Sequence, residues 1–379
     1  MRYTHQVFAF RESAPRDLQL ADGSLRVALM AKDRRPPGGR GAPSNPAGRF
    51  EKIAFVPEPE ADEPLPRTQL LKDSARSIIA TNDSPDVGFS ASINPYRGCE
   101  HGCVYCYARP THEFLGFSAG LDFESKILVK EDAPRLLREE LSSPRWKPQV
   151  LAMSGVTDPY QPIEHRLQLT RRCLEVLAEF RNPVAIITKN HRVTRDLDVL
   201  SGLATHRAAA VIVSLTTLDP ALAAAMEPRT SVPDRRLAAI RSLAQAGIPA
   251  GVNVAPVIPG LTDHEMPAIL KAAREAGARF AGHTVLRLPY GVKDLFRDWI
   301  EKRFPDRAKK VLHRVEEVRG GRLNDPRFGS RMTGEGVYAE QLAALFDHAR
   351  RKAGLEEEAP ELSTAGFRVP PGPQLTLFP

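Results

Sequence analysis

Six short apolar runs punctuate the chain between residues 89 and 288: FSASIN, QVLAM, VAIIT, AAVIVSL, AGVNVAPVI and HTVLRL, each closed off by proline, glycine or charge. Between them, stretches such as EHRLQLTRRCLEVLAEF, PDRRLAAIRSLAQAG and TDHEMPAILKAAREAG place apolar residues at helical spacing, and two of these end at glycine, a common helix C-cap. Runs of Val, Ile and Ala with no polar alternation are what parallel strands look like when both faces are covered. Strand then helix, repeated six times, makes the fold class α/β. Periodicity alone does not separate an open doubly wound sheet from a barrel.

The flanks read differently. Residues 1–85 lack sustained periodicity, and RRPPGGRGAPSNPAGRFE is too rich in Pro, Gly and Arg to build a core. They are expected to form a largely flexible, basic extension, with Arg34, Arg35, Arg40 and Arg49 either solvated or available to phosphates. The repeat occupies 86–291. A locally basic helical extension is expected over 292–355, and an acidic, proline-rich disordered tail over 356–379. No apolar run approaches the roughly 20 residues that span a bilayer. With four cysteines in 379 residues, the chain is expected to be cytoplasmic, away from membranes and free of disulfides. Its 53 Lys and Arg against 46 Asp and Glu give +7, which permits a polyanionic partner without requiring one.

Three of the four cysteines stand together in SINPYRGCEHGCVYCYARP, as Cys99, Cys103 and Cys106 in a C-x3-C-x2-C spacing. Gly98 and Gly102 allow the tight backbone that a wrapped metal centre needs. Three thiolates without a nearby fourth suit a 4Fe–4S cluster with one iron left open. The alternative is a structural zinc site completed by His101.

The pattern C-x3-C-x-Y-C, entered from a strand and left into a helix, resembles the radical S-adenosylmethionine (SAM) superfamily. Within it, NPYRGCEHGCVYCYARP is most similar to the spore photoproduct lyase-like, or DNA repair photolyase-like, proteins. The resemblance runs from about residue 88 to 290. It implies a partial (β/α)6 barrel whose mouth holds the cluster, with SAM chelating the open iron. Reductive cleavage of SAM would give a 5′-deoxyadenosyl radical that takes hydrogen from the substrate, with a ferredoxin or flavodoxin supplying the electron.

Carried over residue by residue, the resemblance nominates Ser154, in LAMSGVTDPYQPIE, for the methionine moiety of SAM, Lys189 in IITKN for its carboxylate and Ser214 in IVSL for a SAM contact. It also nominates Glu227, Arg229 and Ser231 for SAM or substrate, Asn253 and Pro256 for the adenosine, and Tyr105 and Tyr107 for a place beside SAM on the radical's return route. One position departs from the pattern. The photoproduct lyases carry a hydrogen-donating cysteine just after the second strand, where this chain has Met153 or Ser154, and Cys173 falls inside a helix. Lyase activity of that type is therefore in question.

The terminal residues Gln374, Leu375, Thr376, Leu377 and Phe378 follow a Pro-Gly-Pro spacer. They resemble the peptide by which bacterial repair proteins dock on the replication sliding clamp, in an extended peptide-in-groove mode. Three functions remain open at this point. One is a radical SAM enzyme acting on DNA, a second is such an enzyme acting on RNA, a nucleotide or a peptide, and the third is a non-catalytic, zinc-stabilised module tethered to the clamp.

Overall fold

In the computed structural model, which describes residues 40–50 and 67–371, the expected alternation builds one seven-stranded sheet. The strands are β1 (Gln69–Lys72), β2 (Ile79–Thr81), β3 (Ala91–Ile93), β4 (Tyr96–Arg97), β5 (Lys126–Val129), β6 (Leu151–Met153), β7 (Val184–Thr188), β8 (Ala209–Ser214), β9 (Ala250–Val257) and β10 (Phe280–Val285). Their order in the large sheet is β10-β9-β8-β7-β6-β3-β2. The six strands from β3 to β10 pair in parallel, and β2 joins β3 antiparallel at the edge.

Successive parallel strands are linked through the helices Ala133–Ser142, Leu169–Phe180, Leu197–Ala204, Pro233–Gln245 and Met266–Glu275. This is a partial barrel of six strand–helix units. The sheet's ends are not paired with one another, so the barrel does not close. Its apolar runs are buried as their composition requires: Val184, Ile186, Val211, Val213, Val252 and Val254 are all 0–1% exposed. Both faces are covered, which is why the runs show no polar alternation.

Three sequence expectations change and one sheet is added. The last barrel strand is Phe280–Val285 rather than His283–Leu288, three residues earlier, because Phe280 to His283 pair with Gly251 to Val254 of β9 and carry the run into the sheet. A second sheet, β1-β5-β4, was not legible, since its strands are only two to four residues long. Residues 40–50, placed by sequence in a flexible arm, are docked: Arg40 is 6% exposed and donates to the Glu124 carbonyl at 2.7 Å. The tail, expected to be disordered from 356, runs across the barrel to 371. Glu356 exchanges backbone hydrogen bonds with Arg279 and Ala281, and Phe367 stacks at 6.2 Å on Phe180.

The C-terminal extension contains the helices Val292–Arg303, Pro305–Glu317 and Val337–Ala353. The last packs on Met266–Glu275 and brings Phe346 within 4.2 Å of His283 on β10, covering the sheet's far edge. Among the described residues no helix is long and apolar enough to cross a membrane. Arg34, Arg35 and the Gln374–Phe378 motif lie outside the described residues.

Candidate active site

The cysteine loop begins where β4 ends. β4 runs antiparallel to β5, and the Cys99 amide donates to the Phe123 carbonyl at 2.9 Å, so the loop leaves a fixed edge. Gly98 and Gly102 have φ of +80° and +67°, the region that L side chains avoid. A Cβ on Gly98 would lie 2.9 Å from the Phe123 carbonyl oxygen, and one on Gly102 would lie 2.7 Å from a Glu124 carboxylate oxygen. Both positions thus require glycine twice over, for backbone and for space.

Two groups that sequence reasoning missed hold this loop. Arg109 is fully buried, and its guanidinium donates to the carbonyls of Gly102, Cys103, Ala119 and Gly120 and to the Glu124 carboxylate. Glu124 also accepts from the Gly41 and Ala42 amides at 2.8 and 2.7 Å. From the β6 side, Thr157 and Gln161 both donate to the Gly98 carbonyl, and Gln161 accepts from the Glu100 amide at 2.9 Å. The only available signal was proximity, since Arg109 follows the last cysteine by three residues.

Cys99 and Cys103 are buried and Cys106 is partly so. Burial pushes the Cys99 thiol up to about 12, with Asp158 and Cys106 adding to it. Cys103 and Cys106 are raised by burial too. Such thiols ionise only against a bound positive centre. Among the described residues, no three Cys, His, Asp or Glu side chains converge as a single ion requires. His101 is committed elsewhere, with Nε2 at 3.1 Å from Asn190 Nδ2 and Nδ1 at 3.5 Å from Asp158. With His101 so engaged, the three thiols are left as an all-cysteine set, which fits an iron–sulfur cluster and not the Cys3His zinc alternative.

The carboxyl ends of the parallel strands open beside this loop. Ser154 and Gly155 follow β6, Lys189 follows β7, and Ser214 closes β8 opposite Asn253 of β9. Lys189 is positioned from two sides: its amide donates to Asp158 at 2.7 Å and its Nζ to the Ala255 carbonyl at 2.8 Å, next to Pro256. Burial, with Arg236 next, lowers the Lys189 ammonium to about 8. Asp158 is therefore a brace between two strand ends, accepting also from the Thr188 hydroxyl at 2.7 Å.

Glu227, 2% exposed, is a buried hub. Its carboxylate accepts from the Tyr105 hydroxyl, from Thr216 at 2.7 Å and from the Arg236 guanidinium, with Lys189 Nζ at 3.6 Å. Burial raises its pKa while Arg236 opposes the rise. Arg229 instead pairs with Glu100 at 3.2 Å, its amide donating to the His101 carbonyl. Ser231 receives the His191 amide at 2.8 Å and acts on the backbone. Tyr107 is half-exposed, and its hydroxyl donates to the Gly155 carbonyl at 2.7 Å. Met153 and Cys173 are both fully buried, Cys173 in the barrel core, so neither is presented at the mouth.

The comparisons with known proteins agree with this geometry. The family model described as "Radical SAM superfamily" matches residues 93–273, spanning the cysteine loop and the strands through β9. The chain belongs to the radical SAM superfamily. An uncharacterised protein of Mycobacterium tuberculosis is 38% identical over 383 residues, covering 100% of each chain. One of Methanocaldococcus jannaschii is 29% identical over 199 residues, covering 52% of this chain and 71% of the other. Among solved structures, spore photoproduct lyase complexed with dinucleoside spore photoproduct superimposes with a TM-score of 0.54 at 18% identity, over 76% of this chain and 81% of that one. At that identity the likeness is one of fold. Radical SAM membership implies SAM and a 4Fe–4S cluster as the cofactors.

Proposed function

We propose that this radical SAM protein binds its 4Fe–4S cluster through Cys99, Cys103 and Cys106 and acts on DNA in a repair-type reaction. The observation that carries the reading is the glycine-hinged thiol loop beside the open strand ends of β6 to β9. When bound, the cluster and SAM together would supply a 5′-deoxyadenosyl radical.

The chain's own residues would hold and orient the cofactor. Ser154 would bond the methionine moiety of SAM, and the Lys189 ammonium suits its carboxylate. Ser214, Asn253 and Pro256 border the strands where adenosine would lie. Tyr105 is fixed from its hydroxyl by Glu227, and Tyr107 from its hydroxyl by Gly155. These two rings flank Cys106 and can relay hydrogen. With no thiol presented after β6, hydrogen return must use a group other than a cysteine there. Arg229 faces solvent on one side and can meet a phosphate.

The DNA assignment draws on the fold likeness to a protein that binds a dinucleoside photoproduct, on the basic composition and on the C-terminal clamp-like peptide. Anaerobic reconstitution with iron and sulfide should give a brown protein that forms 5′-deoxyadenosine from SAM and reductant, a ferredoxin or flavodoxin serving in the cell. Mass spectrometry of irradiated DNA after incubation then tests the substrate. Unchanged irradiated DNA alongside altered RNA or peptide would move the chemistry to that class. Loss of clamp capture on deleting residues 374–379 tests the tail.

A further inference from the structure

Among the described residues, three of the exposed aromatic side chains gather in one place. Phe50, Phe114 and Tyr290 are 59, 72 and 58% exposed, and all three surround one guanidinium, that of Arg49. It lies 3.7 Å from the Tyr290 ring centroid, 5.1 Å from Phe50 and 5.7 Å from Phe114. Phe50 and Phe114 meet each other at 5.1 Å. Arg49 itself is held in plane by Glu113, which accepts from Nε at 2.6 Å and from the backbone amide at 3.1 Å. Three segments far apart in sequence thus contribute to one cation–aromatic platform.

Its position ties it to the candidate active site. Phe114 lies on the 3-10 helix Arg109–Leu115 that leaves the cysteine loop, and Tyr290 lies in the turn that follows β10. Tyr290 has φ +51°, a conformation that a bulky side chain adopts at a cost and that tends to persist at binding sites. Three residues earlier Arg287 lies 5.4 Å above the half-exposed Tyr107 ring, and Arg331 lies 4.4 Å above exposed Phe328. Two further guanidinium–ring pairs thus accompany the Arg49 cluster among the exposed aromatics.

Exposed aromatics scattered singly need no explanation, whereas clustered ones mark an interaction surface. Rings interleaved with arginine suit a partner that offers flat π-faces and negative charge together. Unpaired bases on a phosphate backbone do so, whereas duplex bases are already stacked on one another. We propose that Phe50, Phe114, Tyr290 and Arg49 form a stacking platform for unpaired DNA next to the target nucleotide. The choice of DNA rests on the function proposed above; the stacking itself rests on these contacts.

The test is fluorescence anisotropy of the cluster-loaded full chain with labelled oligothymidine across a salt series. Phe114→Ala and Tyr290→Ala should each weaken binding by about 5- to 100-fold, the loss of one base stack, with the slope of log affinity against log salt unchanged. Phe114→Trp should restore affinity, and unchanged iron content and circular dichroism establish that the variants are folded. Alanine variants that bind as tightly as the parent, or that lose salt slope instead of affinity, would overturn the platform. A parent that binds lesion-bearing duplex while the variants are indifferent overturns the platform alone. A parent that binds oligouridine or no nucleic acid in place of DNA overturns both this inference and the DNA substrate.

Discussion

Arg109 and Glu124, neither of them exposed to solvent, form an ion pair at 2.5 Å directly against the cysteine loop. The pair is a junction of three chain segments: Arg109 donates to the loop carbonyls of Gly102 and Cys103, and Glu124 accepts from Gly41 and Ala42. Breaking a buried pair by removing one partner strands the other charge, which costs about 3–5 kcal/mol. Glu124→Gln should therefore lower the denaturation free energy by that order and reduce the iron and sulfide retained per chain. Iron analysis with chemical denaturation under argon checks both.

The four cysteines divide into three and one. Cys99→Ala, Cys103→Ala and Cys106→Ala should each abolish the cluster's visible absorption and 5′-deoxyadenosine formation. Cys173→Ala should keep both at the cost of about 1 kcal/mol, because that thiol only fills space in the helix Leu169–Phe180. Ultraviolet–visible spectra of the four reconstituted variants decide it. A cluster that survived all three loop substitutions would remove the basis for the proposed mechanism.

Lys189 and Glu227 are 3.6 Å apart and should behave oppositely on substitution. Lys189→Met removes a cation facing the proposed SAM site, so SAM should bind about 10- to 100-fold more weakly with cluster content intact, the worth of a charged hydrogen bond. Glu227→Ala strands Arg236, which is 1% exposed, and should destabilise the fold by about 3–5 kcal/mol. Equilibrium SAM binding and denaturation midpoints, measured on both variants, separate the cofactor contact from the brace.

Acid should act through His112. Its ring is buried between Phe117 and Phe123, at 5.6 and 5.3 Å, and Nε2 lies 2.9 Å from the Lys126 carbonyl oxygen. Burial lowers its pKa from 6.5 to about 4. The unfolded chain therefore binds the proton first as pH falls, so this contribution is intact above about pH 6.5 and declines toward pH 4, by up to about 3 kcal/mol. His112→Phe should be less stable than the parent at pH 7 for want of the hydrogen bond, yet decline less between pH 6.5 and 4.5. Urea midpoints at several pH values supply the comparison.

The alternation of strand and helix was legible because local chemistry encodes it, whereas the barrel itself was implied only by the family resemblance. Runs such as VAIIT and AAVIVSL are apolar on both faces only if helices cover both, and glycine at 98 and 102 with cysteine at 99, 103 and 106 specifies a wrapped metal loop within a few residues. The site's supports were not legible. Tyr105 meets Glu227 across 122 residues and Gly41 meets Glu124 across 83, and no pattern within a helix turn or strand repeat reports such distances. The same holds for Arg49, which composition places in a solvated arm and the fold places against Tyr290. Sequence alone determined the strand–helix alternation and the spacing of the three loop cysteines, because periodicity and spacing act between near neighbours. Only the tertiary structure decided which charges are buried, what each carboxylate braces and which rings are left facing outward, because those follow from long-range packing and the desolvation it imposes.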